Sequence, residues 1–165
     1  MDVWRSFLRA HARISRALES ELLADQQLSL ASYDVLVQLA EAPERRLRMT
    51  ELADAVLLSR SGVTRLVDRL EKAGLVTRAR VDSDGRGVEA VLTQAGFDRL
   101  RAASGTHLAG VVTHFADVLE PEELVSFGHT CERLGGATES TGDAVLGEPL
   151  ESGMDGDPAD PAPEF

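Results

Sequence analysis

Between Thr50 and Leu92 the chain encodes two short helices and a hairpin with almost no connecting length. Thr50 is placed to cap a short helix, ELADAV, whose Leu52, Ala53 and Val56 face one way. A tight turn follows, and Ser59 stands at the cap position of a second helix, RSGVTRLVDRLEK. In that helix Val63, Leu66, Val67 and Leu70 recur at helical spacing, so one face can be buried. It stops at KAGLV, where Gly74 suits a left-handed terminus. The runs LVTRARV and VEAVLT are β-prone, and the Asp, Ser and Gly of DSDGRG make the joint between them a turn. Two helices across a tight turn, then a two-stranded β-hairpin, make a winged helix-turn-helix.

The exposed face of the second helix carries Arg60, Ser61, Thr64 and Arg65 at its start. A merely solvated helix more often places Glu and Lys there at i,i+4 spacing. Short hydroxyls let a helix come close to another surface, while arginines reach past it. In a helix-turn-helix this helix enters the major groove with its N-terminal residues at the base edges. Arginine can grip guanine with two bonds, and serine or threonine can meet a phosphate or a base. Ser59, Arg60, Ser61, Thr64, Arg65 and Arg69 are therefore the candidate DNA contacts of this helix. The plainer reading of Arg69 and Lys72 is ordinary surface charge on the helix flank. At the hairpin tip Arg86 lies between Gly85 and Gly87, which suits an arginine reaching into a narrow minor groove. Asp68 needs a cationic partner near phosphates, and Arg78 or Arg86 can supply one and so set the angle of the wing. Arg78 and Arg80 alternate along a strand, so at most some of them face DNA.

A formal charge of −11 on 165 residues argues against a polyanionic partner until it is divided along the chain. Residues 137–165 hold eight acidic side chains and no Lys or Arg. Within 45–86, ten basic residues face six acidic ones, a net +4, while 1–44 is −3 and 87–136 is −4. A basic centre thus lies between acidic flanks, and the C-terminal segment hides it from the total. The Gly, Pro, Ser and acidic content of 137–165 cannot bury enough apolar surface to order itself, so a disordered tail is expected there.

The flanks read as helices. Trp4, Phe7, Leu8, His11, Ile14, Leu18 and Leu22 share a face of the first, with arginines opposite. The next starts at Ser29 or Ser32, carries Val35, Leu36 and Leu39, and stops before Pro43. Thr93 caps a long helix expected to run through Leu119, and Pro121 opens the last one, closed by Gly135 and Gly136. No apolar run is long enough to cross a bilayer, no secretory core stands at the N-terminus, and Cys131 has no internal disulfide partner. A cytoplasmic protein with no membrane partner is expected.

The stretch TELADAVLLSRSGVTRLVDRLEKAGLVTRARVDSDGRGVEAVLTQAG, Thr50 to Gly96, resembles the DNA-binding lobe of the MarR family (multiple antibiotic resistance regulators). The flanking helices fit the same order, so the likeness covers about 1–136: a helical dimerisation region from 1–28 and 94–136, and a winged lobe over 29–93. The resemblance implies a mainly α homodimer whose terminal helices interlock and whose lobes bind a pseudo-palindrome in double-stranded DNA, commonly as a repressor. It implies release by a small ligand or by oxidation, with a ligand crevice between the first helix, the second helix and the lobe. Trp4, His11 and Tyr33 are the residues that could line it, and an aromatic floor with one imidazole suits a small aromatic acid. Trp4 and His11 fit the dimer core equally well. One departure stands at the wing tip: the family often reads Asp-Arg-Arg where this chain has Asp84-Gly85-Arg86, one phosphate-reaching charge fewer.

Other chemistry finds little support. His107 and His114 share a helix face, and His129 and Cys131 lie beyond, but no spacing among them resembles a dedicated metal site, and no cofactor is implied. Cys131 reads as a small buried residue rather than a redox switch, and it is far from the first-helix position that carries the reactive cysteine in the family's peroxide sensors. A nucleophile with paired His and acid, or a Gly-rich phosphate loop, is missing from the sequence, so an enzyme is not expected. The remaining alternative is a winged-helix module that docks a protein and binds no specific DNA. Salt-dependent DNA binding separates the two.

Overall fold

The computed structural model describes residues 2–80 and 87–136. Its helices are α1 (Asp2–Gln26), α2 (Leu30–Glu41), α3 (Met49–Ala55), α4 (Arg60–Lys72), α5 (Gln94–His114) and α6 (Pro121–Gly135). Between them lie the short strands β1 (Arg46–Arg48), β2 (Val76–Arg80) and β3 (Val88–Leu92), with 3-10 turns at Pro43–Arg45 and Ala116–Val118. Contacts divide the chain at Val125/Ser126, within α6, and the described residues of the second unit are 126–136. The wing tip with Arg86, and the segment 137–165 expected to be a tail, lie outside the described residues.

The core joins the inner faces of α2, α3 and α4 to the sheet and to α5. Val35, Leu36, Leu39, Leu52, Val63 and Val67 are all fully buried, and Val76, Ala90, Leu92 and Ala103 close the cluster. From α1 only its C-terminal half joins, through Leu18 and Leu22. The apolar positions read from α4 are the four that the structure buries.

Two backbone features hold α4, the sheet and α5 in place. Gly74 takes φ +73, the left-handed stop expected after α4, and Leu75 N–H closes the turn on the Leu70 carbonyl at 2.9 Å. The N-terminus of α5 then lies directly on this turn. Thr93 caps α5 by accepting from Gly96 N–H at 3.0 Å and donates its hydroxyl to the Gly74 carbonyl at 2.8 Å. A Cβ on Gly96 would fall 2.1 Å from the Leu75 carbonyl oxygen, so only glycine permits this approach.

The structure departs from the sequence reading in three places. First, the hairpin gains a third strand: β1 pairs antiparallel with β3, Leu47 opposite Ala90, giving the order β1-β3-β2. Second, Thr50 is not the cap of α3. Strand β1 keeps the backbone extended through Arg48 (φ −61, ψ 144), the helix starts at Met49, and the Glu51 carboxylate accepts the Arg48 N–H at 3.1 Å. Third, α5 ends at His114. Phe115 leaves helical geometry (φ −131, ψ −62) and a 3-10 turn carries Val118, so the apolar spacing that runs on to Leu119 outlasts the helix.

Candidate nucleic-acid interface

The turn from α3 into α4 is closed by Leu58 N–H on the Ala53 carbonyl at 3.1 Å, with Leu57 at φ +53 and 91% exposed. Ser59 follows in an extended conformation and accepts the Gly62 N–H at 3.1 Å, as its position in the sequence suggested. The first turn of α4 contains no acidic residue. Its unpaired N–H groups and the positive end of the helix dipole are therefore not neutralised, which favours an approaching anion.

Ser59, Arg60, Ser61, Thr64, Arg65 and Arg69 are all exposed on α4. The side chains of Arg60 and Arg65 have no hydrogen bond or ion pair among the described residues, so both guanidinium groups are free to bind. Arg69 turns back toward the Arg65 carbonyl at 3.5 Å, a long contact that little restrains it. The Ser59 and Ser61 hydroxyls are 3.2 Å apart. Arg86, the seventh candidate, lies outside the described residues.

Arg78 belongs to a different class from Arg65. From β2 its guanidinium donates to Asp68 at 2.6 Å, to the Thr64 carbonyl at 3.2 Å and to Glu71, while its backbone N–H also donates to Glu71, at 3.2 Å. Asp68 thus has the cationic partner its position demanded, and that partner is Arg78. The sequence did not show that Arg78 also holds Glu71 and a helix carbonyl. Together these bonds lock the base of the wing to the recognition helix. The Arg78 guanidinium is thereby engaged within the chain.

The three residues suggested for a ligand crevice are not brought together. Tyr33 is buried, and its ring lies 4.3 Å from that of His107. Trp4 is 61% exposed and stacks on Phe7, and His11 is exposed on α1. Leu22 shares the core with Tyr33, and at 1.5 Å per residue Trp4 lies about 27 Å, and His11 about 16 Å, further up α1. Within one chain they cannot line one pocket with Tyr33. His107 is the partner that sequence reading missed, because its contact with Tyr33 spans two helices remote in sequence. Its Nδ1 is buried without a hydrogen-bond partner, and burial holds the imidazole pKa below its ordinary 6.5.

His114, by contrast, bonds Glu21 of α1 at 2.6 Å, and Cys131, expected to be buried, is exposed on α6. Among the described residues no group of three His, Cys, Asp or Glu side chains could hold a metal, and no helix is long and apolar enough to cross a membrane.

Comparison with known proteins agrees with this geometry. A family model described as MarR family matches residues 26–87. An uncharacterized HTH-type transcriptional regulator from Bacillus cereus is 32% identical over 121 residues, 73% of this chain and 78% of that one. Among solved structures, AbsC from Streptomyces coelicolor superposes with a TM-score of 0.76 at 34% identity, covering 81% of this chain and 90% of its own. Sco3205, a MarR family transcriptional regulator from the same organism, was solved in complex with DNA. It superposes with a TM-score of 0.77 at 39% identity, covering 84% of this chain and 87% of its own.

Proposed function

Because this chain belongs to the MarR family of DNA-binding transcriptional regulators, we propose that it acts as a homodimeric repressor of a pseudo-palindromic operator and is released by a small aromatic acid. The observation that carries this reading is α4. Its apolar face is fully committed to the core, while its other face offers Arg60 and Arg65, unpaired among the described residues, beside a helix start with no acid. Ser59, Ser61 and Arg69 flank them as phosphate contacts, and the sequence offers Arg86, between the two strands of the hairpin, as a further one. A dimer seated across a promoter would exclude polymerase without further machinery.

Dimerisation is supported by apolar surface on the terminal helices that this chain leaves open. Trp4, Phe7, Leu8, Leu108 and Val112 are between 42% and 61% exposed, and helices do not keep such stripes in water without a partner. We assign Trp4 and His11 to this face and not to the effector. Two lobes joined this way would present their recognition helices about 34–36 Å apart, one turn of DNA. The effector is assigned to the Tyr33–His107 contact between α2 and α5. An aromatic ring and an imidazole nitrogen without a partner suit a ring bearing a carboxylate. To release DNA it must bind better to a lobe spacing that mismatches the operator.

Selection of bound fragments from genomic DNA, followed by affinity measurements across salt, tests the whole reading. A sequence-specific site with a steep salt dependence is expected. Weak binding that is equal for all sequences would favour a protein-docking role for the winged lobe. For the effector, benzoic or phenolic acids are titrated against the operator complex of the wild type and of His107→Ala. An unchanged midpoint in a dimeric variant would remove His107 from the effector site.

A further inference from the structure

The hydroxyl groups at the start of α4 are not equivalent, and counting their hydrogens separates them. Ser59 accepts from Gly62 N–H, and the Ser59 and Ser61 hydroxyls bond each other at 3.2 Å, which uses one of their two hydrogens. One serine hydrogen therefore remains for a phosphate. Thr64 has none to offer, because its hydroxyl donates to the Arg60 carbonyl one turn back, at 2.8 Å. Turning that hydroxyl toward DNA would only exchange one hydrogen bond for another. With Oγ1 directed back along the helix and the residue exposed, the other branch of its Cβ, the methyl group, is left on the solvent side.

Thr64 also sits at a fixed height on the recognition face. Arg78 from β2 donates to its carbonyl at 3.2 Å, anchoring this turn of α4 to the wing. Its neighbour Arg65 projects with no partner among the described residues. A free arginine can read guanine, and an outward methyl in the major groove has one apolar feature to meet, the 5-methyl of thymine. We propose that Thr64 reads a thymine by methyl–methyl contact in each half of the operator, close to the base read by Arg65. The proposal rests on the DNA-binding reading above and adds a base and a mechanism to it.

The test starts from an operator selected by the full-length chain. Each thymine is replaced singly by deoxyuridine, which removes only the 5-methyl group, and affinity is measured for the wild type, Thr64→Ser and Thr64→Val. In each half-site one thymine should stand out, where deoxyuridine weakens wild-type binding about fourfold, the worth of one buried methyl group. Thr64→Ser keeps the hydroxyl and loses one methyl in each half-site, so it should bind the natural operator about fifteenfold more weakly and feel no further loss from deoxyuridine there. Thr64→Val keeps the methyl and should keep the penalty. Both variants change only an exposed position and should melt near the wild type. A flat deoxyuridine scan in the wild type, or a full penalty retained in Thr64→Ser, would overturn the assignment while leaving sequence-specific binding intact. Failure to select any operator would instead bring down the DNA-binding reading on which it stands.

Discussion

The lobe built from α2 to β3 and the helices at the chain ends solve the same problem differently. In the lobe, every apolar position of α4 read from the sequence finds cover within the chain, and Leu36, Leu39, Leu52, Val63 and Val67 are completely enclosed. Along α1 the burial stops at Leu18, leaving Val3, Trp4, Phe7 and Leu8 open to solvent, and Leu108 and Val112 on α5 are open as well. Both regions carry amphipathic helices of ordinary composition. The difference is that the apolar faces of the lobe are covered within the chain, by its own elements and by α1 and α5, whereas the terminal helices leave apolar surface exposed, the surface that the proposed dimer would cover. Intrachain packing stabilises the first, and on the proposed reading association would stabilise the second.

The sharpest way to break this contrast is to replace one leucine in each region. Leu36→Ala empties a fully enclosed site and should cost roughly 2–5 kcal/mol of folding stability, visible in urea melts at any protein concentration. Leu108→Glu should leave the fold of the isolated chain nearly untouched, because the residue is 60% exposed. Its effect should fall on assembly, costing on the order of 2 kcal/mol or more of dimer stability. Sedimentation at micromolar concentration would then show monomers, with operator affinity lost in step. Should Leu108→Glu sediment and bind as the wild type does, the open stripe is not the dimer face.

A second pair of substitutions separates reading from positioning. Arg65→Ala removes a free guanidinium and should relax preference at one base pair per half-site, at about 1–3 kcal/mol. Arg78→Ala removes a group that is held by Asp68, Glu71 and the Thr64 carbonyl. It should weaken binding to all sequences alike and lower the melting temperature, since two carboxylates are then left facing the phosphates without a counter-charge. Equal selectivity losses for both arginines would mean that Arg78 also reaches a base.

Much of this arrangement was legible because it is local. The Ser59 cap, the left-handed Gly74, the buried face of α4 and the need of Asp68 for an arginine each depend on residues within a few positions or on a fixed period. What was not legible depends on contacts remote in sequence. Arg46–Arg48, for which the sequence suggested no element, becomes a strand only because β3 has a free edge to pair with. Its extended backbone then moves the start of α3, so that Thr50 loses the capping role its residue type suggested. The end of α5 was hidden for the opposite reason, since apolar spacing continues through a 3-10 turn that no longer follows the helix. Trp4, His11 and Tyr33 are kept apart within one chain by simple length. A straight helix of 25 residues carries its two ends too far apart for one small pocket.

The smallest expected effect concerns the seam between the two regions, where His107 of α5 meets Tyr33 of α2. Burial lowers the imidazole pKa in the folded chain, whereas in the unfolded chain it keeps its ordinary value of 6.5. The unfolded state therefore takes up a proton first as the pH falls. Stability that is fully present above about pH 6.5 is then lost as the pH drops through the lowered folded-state value. The orphaned Nδ1 points the same way, because a proton placed there would have no acceptor. His107→Phe keeps a ring against Tyr33 and removes the titration. Between about pH 7.5 and pH 5.5 the wild type should lose more melting temperature than this variant does. If both lose the same amount, His107 is protonated at no cost in the fold, and the seam between lobe and terminal helices carries no pH dependence of its own.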